Sequence, residues 1–332
     1  MTKLERVSDA AGAKRWLALA STCVPVDHPG LIAGSLEEVL LQVSGDQRSL
    51  KYAHFLAVEH GVDVAYGTAR LPMRDNLSNA VVSVSVLPSR RRRGIGATLA
   101  KEIFDYVRGE GRTNAVWTVG SPIGQESPGC TFSRSLGAKS ALSRLRRELD
   151  LTIVDDRKLD ALVRTRIDGR DSDYEIVTWV DRAPDDLVEG VALLVGRMST
   201  DTPSGDLSWE PEVWDASRWR EKENDAHRSG RRRLAAGAVD RGGHPVAFTD
   251  IGVYVRDPSA AEQWNTIVDP GHRGHRLGLA AKVANFRNLR REVPEALRLE
   301  TWNAIENTRI IEINELLGFQ VVERVDEYQL PL

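Results

Sequence analysis

Two short stretches combine guanidinium groups and glycines at a spacing suited to oxyanions: Arg91-Arg92-Arg93-Gly94-Ile95-Gly96 and Arg273-Gly274-His275-Arg276-Leu277-Gly278. Glycine lets backbone N–H groups approach phosphate oxygens, and arginine adds charge-assisted hydrogen bonds. Placed between a strand and a helix, such a loop also offers the positive end of the helix dipole to an anion. Neither stretch has the lysine-containing spacing of a nucleotide P-loop, and Gly94-Ile95-Gly96 lacks the third glycine of a dinucleotide fingerprint. The run Arg90 to Arg93 could equally be a solvated helix start or a nucleic-acid patch, but its place in the loop favours phosphates. His272 and His275 have no third ligand at a recognisable spacing, so no metal is expected. Trp209 and Trp214 stand among Asp206, Glu210 and Glu212 in the polar stretch 201–215, which would suit a cationic molecule or be an ordinary loop. Cys23 and Cys130 are most simply buried small residues.

The elements that must hold these loops repeat along the chain. Val86, Pro88, Arg91 and Gly96 match Val268, Pro270, Arg273 and Gly278 without gaps at an offset of 182 residues, and Leu136-Gly137 matches Leu317-Gly318 at 181. Alternation and β-branched content predict strands from Tyr52 to Glu59, Val62 to Leu71 and Val81 to Leu87, an antiparallel meander. A helix from Gly96 to Val107, a strand from Ala115 to Val119, a short helix around Phe132 to Leu136 and a strand from Ser140 to Leu149 follow. The second half repeats the order with strands from Leu234 to Val239, Pro245 to Val255 and Trp264 to Val268. There the helix runs from Leu277 to Leu289, with a strand from Leu297 to Trp302, a helix from Asn307 to Leu317 and a last strand from Gln320 to Gln329. The charged stretch from Asp155 to Asp173, with Gly169 near its end, predicts a boundary near residue 160, hence domains 1–160 and 161–332.

The 332 residues suffice for two domains, and 41% hydrophobic residues supply their cores. A net charge of −3 argues against a globally basic nucleic-acid binder. Two distant cysteines exclude a disulfide framework or a cysteine-rich zinc module and fit a reducing cytoplasm. No run approaches the ~18 uncharged apolar residues of a membrane span. A soluble, unexported protein without a membrane partner is expected.

The first loop meets in full the signature of the GNAT superfamily of acyl-CoA-dependent N-acyltransferases: Arg or Gln, two residues, Gly, any residue, then Gly or Ala. The second has Arg276 at the first glycine. With the preceding Val-x-Pro, the strand and helix context, and the downstream Asn303, Asn307 and Leu317-Gly318-Phe319, the whole chain resembles a tandem GNAT protein. The resemblance implies a mixed α+β fold of two GNAT domains, each a mostly antiparallel twisted sheet flanked by helices. It implies that the strands ending at Val86 and Val268 part from their neighbours beyond a bulge. Backbone groups of Ser85, Val86, Ile267 and Val268 would then be free for pantetheine, while Arg91 to Gly96 and Arg273 to Gly278 hold the pyrophosphate. Asn303 and Asn307 fall where the family contacts CoA, which makes the second half the expected catalyst.

Acetyl transfer to an amine requires a proton acceptor and an acid for the leaving thiolate. The family's usual acid, a tyrosine, is replaced by Ser133 in the first half and Asn314 in the second. Glu262 and Asp250 are candidate bases, and Tyr328 a further candidate acid. The expected activity is acetyl-CoA-dependent acetylation of a small-molecule amine by direct attack, without metal, in a monomeric pseudo-dimer of repeats or a homodimer. Acetylation of protein lysines or N-termini, and a non-catalytic acyl-CoA sensor, are the alternatives.

Overall fold

The computed structural model describes residues 2–167 and 173–332, so Gly169 lies outside the described residues. In chain order the elements are β1 (Thr2–Val7), α1 (Ala10–Asp27), α2 (Leu36–Ser44), β2 (Leu50–Glu59), β3 (Val62–Pro72), β4 (Asn79–Val86), α3 (Ile95–Gly109), β5 (Asn114–Ser121), α4 (Pro128–Ser135) and β6 (Lys139–Asp150). They continue as α5 (Asp156–Ile167), β7 (Tyr174–Val180), α6 (Val188–Asp201), α7 (Ala216–Arg228), β8 (Arg231–Asp240), β9 (Pro245–Tyr254), β10 (Asp257–Val268), α8 (Leu277–Glu292), β11 (Arg298–Ala304), α9 (Thr308–Leu317) and β12 (Gln320–Pro331). The order β-α-α-β-β-β-α-β-α-β therefore occurs twice, and the repeat read from the sequence is a repeat of fold.

Helix starts follow local chemistry. The side chains of Asp9, Ser35 and Asp215 accept from the N–H groups of Gly12, Glu38 and Arg218, satisfying amides that have no partner inside the helix. In α3, Ile95, Leu99, Ile103 and Val107 recur every four residues and are all buried, which lays one face of the helix on the sheet.

The first unit comprises Met1–Leu145, Ser204–Glu210 and Glu323–Leu332; the second comprises Arg146–Pro203 and Pro211–Val322. Residue 160 lies in α5, within the second unit. In the first unit β1, β2, β3 and β4 form an antiparallel meander, and β4 turns parallel to β5. β5 then pairs antiparallel with the final strand, from Arg324 on Ser121 to Pro331 on Asn114. The last residues of the chain thus complete the sheet of its first unit. The second unit has the matching meander β7-β8-β9-β10 and a parallel β10–β11 pair.

The bulge expected in both halves occurs in the second. Between Gln263 and Thr266 of β10 the register shifts, so Trp264 and Asn265 oppose Asp250 alone. In the first unit β3 and β4 stay in register from Arg70 on Val81 to Ala65 on Val86. No described helix is long and apolar enough to cross a membrane.

Candidate active site

β4 and β5 pair in parallel over Asn79–Val81 and Asn114–Val116. Beyond them a cavity of about 480 Å³ lies between the strands, lined by Val84, Ser85 and Val86 on one side and Thr118, Val119 and Gly120 on the other. Arg90 to Arg92 and Gly94 to Ala97 close one end, and α4 contributes Pro128, Gly129 and Phe132. This is the first of the two places where the sequence predicted parted strands.

The loop at its mouth has two left-handed residues, Arg92 (φ 64°) and Gly94 (φ 79°), and α3 begins at Gly94 without a side-chain cap. The first turn of α3, whose amides lack helical partners, therefore borders the cavity at its positive end. A Cβ on Gly96 would stand 3.4 Å from Val86 Cγ2 and 3.5 Å from the Phe132 ring, already in contact with both. Arg91 is not free for a phosphate: Nε donates to Val86 O at 3.0 Å, and Nη2 to the Asp27 carboxylate at 2.7 and 2.9 Å. The remaining cations lining the mouth are Arg90 and Arg92; Arg93 is exposed.

The second loop copies this backbone with its residue types exchanged. Gly274 (φ 90°) and Arg276 (φ 58°) occupy the two left-handed positions, so an arginine adopts the conformation that the first loop gives to Gly94. Arg273 again donates to the strand end, Val268 O at 3.3 Å, and pairs with the last residue of α6, Asp201, at 2.7 Å. In both loops the signature arginine is a brace. His272 Nδ1 lies 2.9 Å from Tyr174 Oη, and the Tyr174 ring packs 5.5 Å from that of His275. Leu277 and Gly278 are buried at the start of α8, and Ile267 is buried in the core with Val268 beside it. Asn303 Oδ1 accepts from Asn314 Nδ2 at 2.7 Å, and Asn307 is the N-cap residue of α9. Among the described residues no group of three metal-ligating side chains is assembled.

The predicted acid–base residues occupy other roles. Asp250 is fully buried; one oxygen pairs with the Arg233 guanidinium, and the other accepts from Asn265 N at 2.9 Å and Nδ2 at 2.8 Å. It is the counter-ion of Arg233 and holds the bulge. Glu262 is half-exposed, but Oε2 accepts from Arg231 Nη1 at 2.9 Å and Trp264 Nε1 at 3.0 Å. The Trp264 ring lies where any Cβ on Gly252 would overlap it, with the Arg233 guanidinium 4.7 Å from its centre. The surroundings of the second unit's bulge are thus filled by the protein's own side chains. Tyr328 belongs to the first unit, stacked 6.3 Å from Trp117, and burial pushes its hydroxyl up to about 12. It is not among the residues lining the cavity. Ser133, at the family's tyrosine position, is buried between Trp117 Nε1 (2.8 Å) and Gly129 O (2.9 Å).

The acidic stretch 201–215 is divided between the two units. Asp206 N–H donates to Ala141 O at 2.9 Å, and Glu210 exchanges bonds with Asn76 at 2.6 and 3.2 Å, all within the first unit. Glu212, in the second unit, accepts from Trp214 Nε1 at 2.9 Å. Arg218 and Lys222 stand 4.3 and 4.9 Å from the Trp214 ring centre, so the protein's own cations already use that ring.

Sequence reasoning missed a pair at the cavity. His28, the C-cap of α1, lines it, and His28 Nδ1 is 2.9 Å from Oε1 of Glu323 in β12. Glu323 is 3% exposed. A Cβ on Gly120 would overlap both partners, so this glycine makes the space for them. The two residues stand 295 positions apart, and no local pattern links them.

Residues 32–127, the segment containing this cavity's two strands and loop, match the acetyltransferase (GNAT) family model. A tandem GNAT protein from the clavulanic acid biosynthesis pathway superposes with TM-score 0.83 at 25% identity, covering 100% of this chain and 98% of that one. The chain has the fold of a tandem GNAT protein, and its first half carries the family's sequence match. A GCN5-related N-acetyltransferase from Sphaerobacter thermophilus (TM-score 0.63, 16% identity, 99% and 95% of the two chains) shares the fold. So does an acetyltransferase from Pyrococcus horikoshii (0.58, 14%, 100% and 89%). Among curated proteins no sequence match was found. This tandem GNAT protein is accordingly an acyltransferase.

One prediction separates the roles of its carboxylates. Asp250→Asn leaves the buried Arg233 without a counter-charge and should cost about 3 kcal/mol of stability, read as a lower urea midpoint at unchanged slope. If Asp250 were instead the base, activity would collapse at unchanged stability.

Proposed function

We propose that the protein moves an acetyl group from acetyl-CoA to the amine of a small molecule, and that the first unit, rather than the second, carries out the transfer. The observation carrying this reading is the cavity between β4 and β5, which runs from a capless, arginine-bordered helix start to the parted strand edges. Val84 to Val86 and Thr118 to Gly120 line the space for an extended pantetheine arm, and Arg90, Arg92 and the first amides of α3 border that for its phosphates. The thioester supplies an activated acyl group. The chain's part is to align an amine with it, exclude water and receive the proton. A tandem GNAT relative drawn from a biosynthesis pathway favours a small-molecule acceptor over a protein one. All the residues assigned here belong to one unit, so a single chain suffices.

Calorimetry with acetyl-CoA tests the reading. One equivalent per chain is expected. Gly96→Trp should weaken binding at least about tenfold, or 1.4 kcal/mol, because the indole must occupy the space between Val86 and Phe132. Gly278→Trp should leave it unchanged. The reverse pattern would move the transfer to the second unit.

A further inference from the structure

We propose that His28 is the general base of this acyltransferase and that Glu323, carried in from the last strand, is its positioning residue. This rests on the reading of the first-unit cavity as the acetyl-CoA site.

A carboxylate 3% exposed needs a hydrogen-bonding counterpart, and the imidazole supplies one at 2.9 Å. Because a carboxylate can only accept, the proton of the shared bond belongs to Nδ1. Nε2 is then left with its lone pair, on a side chain that lines the cavity and retains 27% of its exposure. The pair has a fixed seat: His28 N–H bonds to Val24 O at 2.7 Å, and a side chain on Gly120, on the strand flanking the cavity, would displace both partners at once. The other charged residues lining the cavity are Asp27, paired with Arg91, and Arg90 and Arg92 at its mouth. None of the previously expected acid–base residues lines this cavity.

The step balances as follows. The ammonium form of the acceptor gives one proton to His28 Nε2, and Glu323 stabilises the resulting imidazolium. The amine nitrogen forms its bond to the thioester carbon. The C–S bond breaks with its electron pair going to sulfur, the acylated nitrogen gives up its second proton through water to the CoA thiolate, and the imidazolium returns its proton to solvent.

The test uses the full chain, acetyl-CoA, and glucosamine, spermidine and a lysine-bearing peptide as acceptors, with released CoA thiol as readout. His28→Ala should lose about 10²-fold in kcat while binding acetyl-CoA as the wild type does, and added imidazole should restore part of the loss. The acid limb of its kcat/KM profile should disappear. Glu323→Gln, an isosteric change that guards against a folding artefact, should lower kcat less and alter the same limb, and imidazole should not rescue it because the ring is still present. If either variant keeps wild-type kcat and pH profile, or if the wild type binds acetyl-CoA but acetylates none of the three amines, the dyad is overturned and the binding assignment stands. A wild type that binds no acetyl-CoA overturns the reading of the cavity itself, and the dyad with it.

Discussion

Deleting Glu323–Leu332 should abolish folding of the first unit, although the deleted residues follow the entire second unit in sequence. In β12 the register from Arg324 on Ser121 to Pro331 on Asn114 supplies β5 with its antiparallel neighbour, and Leu332 N–H bonds to Thr113 O at 2.8 Å. Val325 and Tyr328 are buried, Tyr328 lies against Trp117, Asp326 accepts from Ser143 at 2.5 Å, and Glu327 pairs with Arg144 at 2.5 Å. Each abandoned strand hydrogen bond costs about 1 kcal/mol, and each lost large apolar side chain about 2 kcal/mol. Summed over the strand, this exceeds much of the ~5–15 kcal/mol that holds a domain folded. The truncated chain should lose one cooperative melting transition and all acetyl-CoA binding. A truncated chain that melts as the full one does would show that β12 is dispensable.

Replacing Lys282 with methionine should stabilise the second unit by about 4 kcal/mol at pH 7. Lys282 is fully buried in α8, 6.0 Å from the Phe286 ring centre and 5.4 Å from that of Phe319, and among the described residues its Nζ has no hydrogen-bond partner. Burial lowers its pKa to about 7. The unfolded chain, with the amine near 10.4, holds more protons throughout the window from about 7 to 10.4, so stability rises with pH across it and is lowest below 7. A gap of about three units at ~1.4 kcal/mol each sets the penalty at neutral pH. Methionine has similar length and no charge to bury. The melting temperature at pH 7 should rise on the order of 10 °C, and the gain should fade towards pH 10. An unchanged melting temperature at pH 7 would mean that the amine is solvated or paired.

Much of the architecture was legible because it depends on short-range rules. Alternation marks the strands, a four-residue apolar recurrence marks α3, and the spacing of Arg91, Gly94 and Gly96 marks a strand, loop and helix that recur 182 residues later. Even the substitution of Arg276 for a glycine changes little, because the loop's backbone is held by the Arg273 brace and by the same pair of left-handed positions. These features need only neighbours along the chain, and the sequence states them directly.

What only the tertiary structure decided is which side chains are available for chemistry. Asp250 and Glu262 read as carboxylates near a split strand, but cross-strand arginines claim them, and no periodicity reports that Arg233 and Arg231 stand opposite. The signature arginines, taken as phosphate ligands, are bound by Asp27 and Asp201 from helices far upstream. The pairing of β12 with β5 joins residues more than 200 positions apart, which no local segment encodes. From that pairing comes the contact of His28 with Glu323, two residues far apart in sequence that become neighbours in the first unit. Spacing in sequence determined where an acyl donor could be held; burial and long-range pairing decided which groups beside it remain free to act.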